Sequence, residues 1–217
     1  MRQRSIQEKV VITLSALGFI SIFPFSIFRL INHEWLIGYL DLAISILMLA
    51  ICLHVIKTKK IESAAILLAM LSLCGVVLSI YVKGASQVYW VYPAVLACHY
   101  VISPKKALLL SITASLISLV FIYNEIDVLQ ILATTATLII TILFAFFFSS
   151  TMNEKQQQLS IQANCDALTQ VGNRRALDEK LLEIVQIQNR IETTVCLVIF
   201  DLDHFKNIND RFGHLIG

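Results

Sequence analysis

Ten consecutive residues concentrate polar chemistry behind an apolar run. They are Asp201-Leu202-Asp203-His204-Phe205-Lys206-Asn207-Ile208-Asn209-Asp210, and the run before them, residues 193–200, reads TTVCLVIF. Carboxylates at the end of a strand are good hard ligands for Mg²⁺. Lys206 stands five residues after Asp201 and can meet a phosphate. The Asn209 amide can hydrogen-bond a base edge. Together these residue types point to Mg²⁺ and nucleotide chemistry. The plainer reading of the same residues is a solvated loop between a strand and a helix.

Those groups need a scaffold. Residues 173–190 carry Leu177, Leu181, Ile184, Val185 and Gln188 at helical spacing. The β-branched run 193–200 has the length and composition of a buried strand. A helix, a strand and then the polar cluster is the order expected of an α/β site, where ligands lie beyond strand ends.

Two ordered motifs carry a resemblance. Asp166-Ala167-Leu168-Thr169 followed by Asn173-Arg174-Arg175 resembles the D-x-L-T-x-x-x-N-R-R opening of GGDEF domains. Residues 201–210 followed by Gly213-His214 resemble the D-x-D-x-F-K-x-x-N-D-x-x-G-H stretch of the same family. Gln170-Val171-Gly172 departs from the more usual Gly-Leu before the Asn. The resemblance implies a diguanylate cyclase, which joins two GTP molecules into cyclic di-GMP and releases two pyrophosphates. It implies Mg²⁺ or Mn²⁺ held by Asp201 with the Leu202 carbonyl beside it. It puts Phe205 and Lys206 at the triphosphate, with Lys206 steadying transition-state charge, Asn209 at the guanine and His214 on the substrate. It also implies a homodimer, formed through the GGDEF domain and the connector helix ahead of it, because each half-site contributes one GTP. The GG[DE]EF turn itself does not occur in the 217 residues. The chain is therefore expected to hold only the incomplete start of this α/β domain and to make no cyclic di-GMP as it stands.

The rest of the sequence has a different solvent. It is 57% hydrophobic and 15% charged overall, against about 45–50% and 25% for soluble domains. Charges are sparse from Val10 to Ser150 and frequent from Asn153 to Asp210. A membrane helix needs about 20 mostly apolar residues. Six spans are expected, at residues 10–31, 35–56, 61–82, 88–103, 107–123 and 128–150, forming an all-α bundle. Arg2, Arg4, Lys9, Lys57, Lys59, Lys60, Lys105 and Lys106 fall on one side of these spans, with Arg29 and Lys83 near the other. The basic side is expected to be cytoplasmic, which puts both termini there. Trp35, Tyr39, Tyr89, Trp90 and Tyr92 mark the opposite interface. The expected location is a bacterial cytoplasmic (inner) membrane, with lipid as a partner. The first apolar run is too long for a cleavable signal peptide. A net charge of +2 gives no case for nucleic acid.

The expected organisation is a six-span sensor domain over 1–150, a signalling helix over 151–165 and the GGDEF segment over 166–217. By span count and position the first part resembles the multi-span (MASE-like) sensor regions that precede GGDEF domains. Asp41 lies about 9 Å inside its span. It either reaches the outer interface or pairs with Arg29, at similar depth on the first span, or else it senses a ligand or proton. Cys52, His54, Cys98 and His99 collect near the cytoplasmic ends of two spans, as interfacial side chains or as metal or haem ligands. Pro24 and Pro93 are expected to kink their helices. Residues 150–163, STMNEKQQQLSIQA, contain no Gly or Pro and continue the last span as a helix. Met152 and Leu159 are its only seam-like pair, so any pairing between copies is weak. The alternative function is a non-enzymatic sensor or transporter-like bundle with a degenerate tail. A histidine-kinase-like receptor would need a phospho-accepting His in a helical pair, and the tail histidines, His204 and His214, lie within the nucleotide-site motif.

Overall fold

Ser5 opens the first helix. Its hydroxyl accepts the Glu8 amide at 3.1 Å, satisfying one of the donors that a helix start leaves without a partner. In a computed structural model of the chain, described for residues 5–58, 61–166, 168–188, 194–201, 203–204, 206, 210 and 213, this helix is α1 (Ile6–Ile31). It is followed by α2 (Trp35–Thr58), α3 (Ile61–Lys83), a 3₁₀ segment (Gly84–Trp90), α4 (Val91–Val101), α5 (Pro104–Ile122), α6 (Val128–Asn164) and α7 (Arg174–Gln188). The chain forms two compact units, Met1–Gln156 and Gln157–Gly217, and the division falls inside α6.

In the first unit, neighbouring helices run antiparallel because their connections are short. On the α1–α2 pair, Cys52 Sγ reaches the Ile12 carbonyl at 3.8 Å, Met48 packs on Gly18, and Arg29 meets Asp41. Contacts that descend on one helix as they climb on the other are the register of a hairpin. Two apolar clusters fill the interior. One joins α1, α2 and α3 through Val11, Ile44, Met48, Val55 and Leu68. The other joins α3 to α6 through Leu73, Ile80, Val95, Ile122 and Leu138. Most of the buried serines bond their hydroxyls back to their own helix; Ser115 Oγ has no partner among the described residues. Ser15, Ser79 and Ser118 donate to the carbonyl four residues back at 2.7, 2.9 and 2.8 Å. Small side chains let helix axes approach closely, the usual device where the surroundings are as apolar as the core.

The outer surface is apolar too. Leu36, Leu109, Val120, Leu129 and Ile140 are exposed, a face that water would disfavour over so large an area. Five helical segments are long and apolar enough to cross a membrane: Ile6–Ile31, Trp35–Thr58, Ile61–Val101, Pro104–Ile122 and Val128–Asn164. The fourth of the six expected spans, 88–103, is not a separate long helix. It is the 3₁₀ segment followed by the 11 residues of α4, about 16 Å of α-helix against a hydrocarbon layer of about 30 Å. The reason is local. Gly84 has φ of +79°, and the Glu125 carboxylate lies where its Cβ would be, accepting the Ala85 amide at 2.6 Å. That tight turn reverses the chain with almost no loop, so α3 and α4 read as one apolar stretch.

Other expectations shift by a few residues or fail. Pro24 lies inside α1, and Pro93 falls in the first turn of α4, where its missing N–H costs nothing. α6 continues to Asn164 as the connector composition predicts, with residues 151–163 exposed. α7 spans most of the expected 173–190. The buried strand expected at 193–200 is absent among the described residues. Residues 194–200 have no regular secondary structure, and Val198, Ile199 and Phe200 are exposed. A strand is held by backbone bonds to neighbouring strands, and no described residue supplies one. The described residues thus do not show the α/β part of the expected fold.

Candidate functional site

The first tail motif builds a turn between α6 and α7. Asp166 Oδ1 accepts the Leu168 amide at 3.1 Å, the Thr169 amide at 3.0 Å and the Thr169 hydroxyl at 3.0 Å. This is an Asx-type turn closed by its own side chain. The Thr169 amide, the Thr169 hydroxyl and the Leu168 amide, in that order, hold the Asp166 carboxyl below the usual carboxylate range. Gln170 takes φ of 59° at the tip. The loop returns through Asp166 N–H to the Val171 carbonyl at 2.8 Å and Asn173 N–H to the Asn164 carbonyl at 2.8 Å.

Asn173 serves both helices. Its Oδ1 accepts the Arg175 and Ala176 amides at 3.0 and 3.2 Å, the N-cap pattern for α7. Its Nδ2 donates to the Ala163 and Cys165 carbonyls at 2.9 and 3.4 Å, where α6 runs out of intrahelical donors. Asn164 Nδ2 reaches Glu179 Oε2 at 3.0 Å and adds a further bond between the two helices. The Asp, Thr and Asn of the motif are therefore turn-forming and capping groups here.

Of the second motif, Asp201 is exposed and follows directly on residues 194–200. Asp203 and His204 form a turn in which His204 has φ of 59°. Lys206 and Asp210 are exposed residues of helical conformation, and Gly213 has φ of +83°. Leu202, Phe205, Asn209 and His214 lie outside the described residues. Asp201 and Asp203 supply the hard oxygen donors that suit Mg²⁺, which takes one or two carboxylates and completes its shell with water and substrate phosphate.

A second polar group lies in the helical unit. Arg29 Nη1 pairs with Asp41 Oδ2, and Arg29 Nη2 donates to Gln87 Oε1 at 2.7 Å. Of the two expectations for Asp41, the pair with Arg29 is what forms. Gln87 is buried in the 3₁₀ segment and escaped sequence reasoning. Its only sequence signal was an uncharged polar residue beside an aromatic belt. His99 uses Nδ1 on the Val95 carbonyl at 3.0 Å. Among the described residues, no three His, Cys, Asp or Glu side chains converge to hold a metal ion. Cys52, His54, Cys98 and His99 thus do not make the metal site that their position allowed.

With this geometry in hand, the chain can be set beside known proteins. Residues 163–217 match the family described as diguanylate cyclase, GGDEF domain. The chain is 43% identical over 61 residues to diguanylate cyclase DgcS of Shewanella oneidensis, covering 28% of this chain and 21% of that protein. Diguanylate cyclase DgcP of Pseudomonas aeruginosa is 41% identical over 71 residues, covering 33% of this chain and 10% of the relative. Probable diguanylate cyclase DgcF of Escherichia coli K12 is 27% identical over 161 residues. That alignment takes in 69% of this chain and 50% of the relative, so it extends beyond the GGDEF segment into the helical unit. The chain thus spans half or less of the length of these curated relatives. No solved structure matches it.

Proposed function

We propose that the protein is a membrane-anchored diguanylate cyclase, in which the helical unit receives a signal and α6 passes it to the GGDEF segment. The observation that carries this reading is the continuity of α6 (Val128–Asn164), which begins as an apolar, span-length helix and ends at the turn that opens the GGDEF segment. Both termini are cytoplasmic, where GTP is available, and the membrane is the bacterial inner membrane. The GGDEF segments act as a homodimer, aided by weak pairing of residues 151–165.

In this mechanism Asp201 and the Leu202 carbonyl would hold Mg²⁺ or Mn²⁺, which would supply positive charge against that of the triphosphate. Lys206 presents its ammonium to the phosphates and steadies the charge that develops as pyrophosphate leaves. Phe205 lies along the triphosphate, Asn209 reads the guanine edge and His214 contacts the substrate. Phosphoryl transfer depends mainly on such positioning and charge neutralisation.

The test uses the protein expressed from its whole reading frame, in membranes, with cyclic di-GMP measured from GTP and Mg²⁺. Lys206→Ala is expected to lower turnover on the order of 10²-fold, the usual cost of removing one group aimed at developing charge. Asp201→Asn is expected to abolish dependence on the added metal together with activity. No product from the parent protein would favour the non-enzymatic sensor instead, and full activity in both variants would remove Asp201 and Lys206 from the mechanism. A polypeptide of only these 217 residues, which contains no GG[DE]EF sequence, is expected to yield no product.

A further inference from the structure

A cavity of about 270 Å³ lies between α1, α2, α3 and α4. Its walls are apolar, formed by Leu14, Ile44, Met48, Leu68 and Val76, and its polar end is Arg29 with Asp41 and Gln87. Three observations define what would fill it. First, a guanidinium carries five N–H donors. Arg29, with its side chain 12% exposed, uses Nη1 on Asp41 and Nη2 on Gln87. Donors are therefore in excess at this end, and a complementary ligand brings an acceptor. Second, Asp41 already balances the Arg29 charge. A second buried anion would go uncompensated, so the acceptor is neutral. Third, Leu17 and Phe25 line the cavity and are also about half exposed on the outer face of α1. The mouth opens sideways onto the apolar surroundings of the bundle.

We infer that this cavity is a binding site for an uncharged, membrane-soluble small molecule. Its apolar body lies along α2 and α3, and its head offers a hydrogen-bond acceptor such as a carbonyl oxygen to Arg29. The inference goes beyond the proposed cyclase activity, and its test needs none. Trp90 lines the cavity and packs edge-on to Phe25 with ring centroids 5.6 Å apart. The chain has two tryptophans, so Trp35→Phe leaves Trp90 as a reporter.

The 217-residue chain carrying Trp35→Phe, delipidated and held in detergent micelles, is titrated with methyl heptyl ketone, nonane and nonanoate while Trp90 fluorescence is followed. The ketone is expected to give a saturable change at a concentration roughly tenfold or more below that needed with nonane, as a hydrogen bond to a charged donor provides. Nonanoate is expected to bind more weakly than the ketone. Ala97→Phe, which fills the cavity from α4, should remove saturation while elution and thermal midpoint stay close to the parent. If that variant does not fold, Ser72→Leu fills the same space from α3. Equal responses to ketone and nonane would overturn the inference and leave an unselective apolar void of the kind a lipid tail fills. So would a response that never saturates, or one unchanged by filling the cavity.

Discussion

Asp41 and Asp166 are the same functional group kept in two different ways. Asp41 is buried in the helical unit, its side chain 8% exposed, and it answers a guanidinium twelve residues away in sequence. The same Arg29 binds Gln87, fifty-eight residues further on. Asp166 is exposed and is held by donors two and three residues ahead. Where water is excluded, a carboxylate needs a counter-charge, and that charge comes from another helix. Where water is present, nearby amide and hydroxyl groups suffice. The polar groups of the bundle therefore tie distant segments together, and those of the tail shape one turn.

The comparison breaks most visibly at Asp41. Asp41→Ala leaves Arg29 buried without its partner and is expected to cost about 3–5 kcal/mol, read as a lower thermal midpoint by circular dichroism. Exchanging the two residues, Arg29→Asp with Asp41→Arg, should recover part of that loss. A fully additive pair of losses would show that the two do not act as a unit. In the tail the largest effect is smaller. Asn173→Ala removes the α7 cap and is expected to cost about 1 kcal/mol. Asn173→Asp keeps the acceptor but loses the Nδ2 donor to α6, so it should fall between parent and alanine. Helical content of residues 174–188, followed by NMR, separates these cases.

Asp166 sharpens the contrast through pH. Its carboxyl is held below the ordinary range, so its contribution to the turn is complete above the usual carboxylate pKa. That contribution is lost as pH falls through the lowered folded value. The amide resonances of Leu168 and Thr169 should shift upfield in that acid range alone, and Asp166→Asn should abolish the shift. The smallest effect belongs to the exposed Lys180–Glu183 pair at 2.8 Å. Glu183→Gln is expected to change stability by about 0.5 kcal/mol or less, within the error of a denaturant titration.

The helices of the bundle were readable because apolar runs of span length have few other uses, and the Arg29–Asp41 pair was readable from matching depth on adjacent spans. Gln87 was not, because its partner lies across three elements and no local pattern marks it. The division of Ile61–Val101 was readable although Gly84 and Glu125 make the reversal without a polar loop, but the shortness of α4 was not. In the tail, the capping role of Asn173 follows from residue type and position, an Asn just ahead of an apolar helical pattern. Residues 193–200 look like a strand by composition, yet strand formation is a property of a pair, and composition describes one member. Asp201 and Lys206 stand out by residue type and motif, and their exposure does not distinguish them, because residues 194–200 are exposed as well.

One amide side chain closing two helices has a mechanical consequence. The nitrogen of Asn173 grips the end of α6 while its oxygen grips the beginning of α7. No swivel is left between them. A twist of the final turn of α6 about its own axis is handed to α7 directly, and slack enters only when those bonds let go.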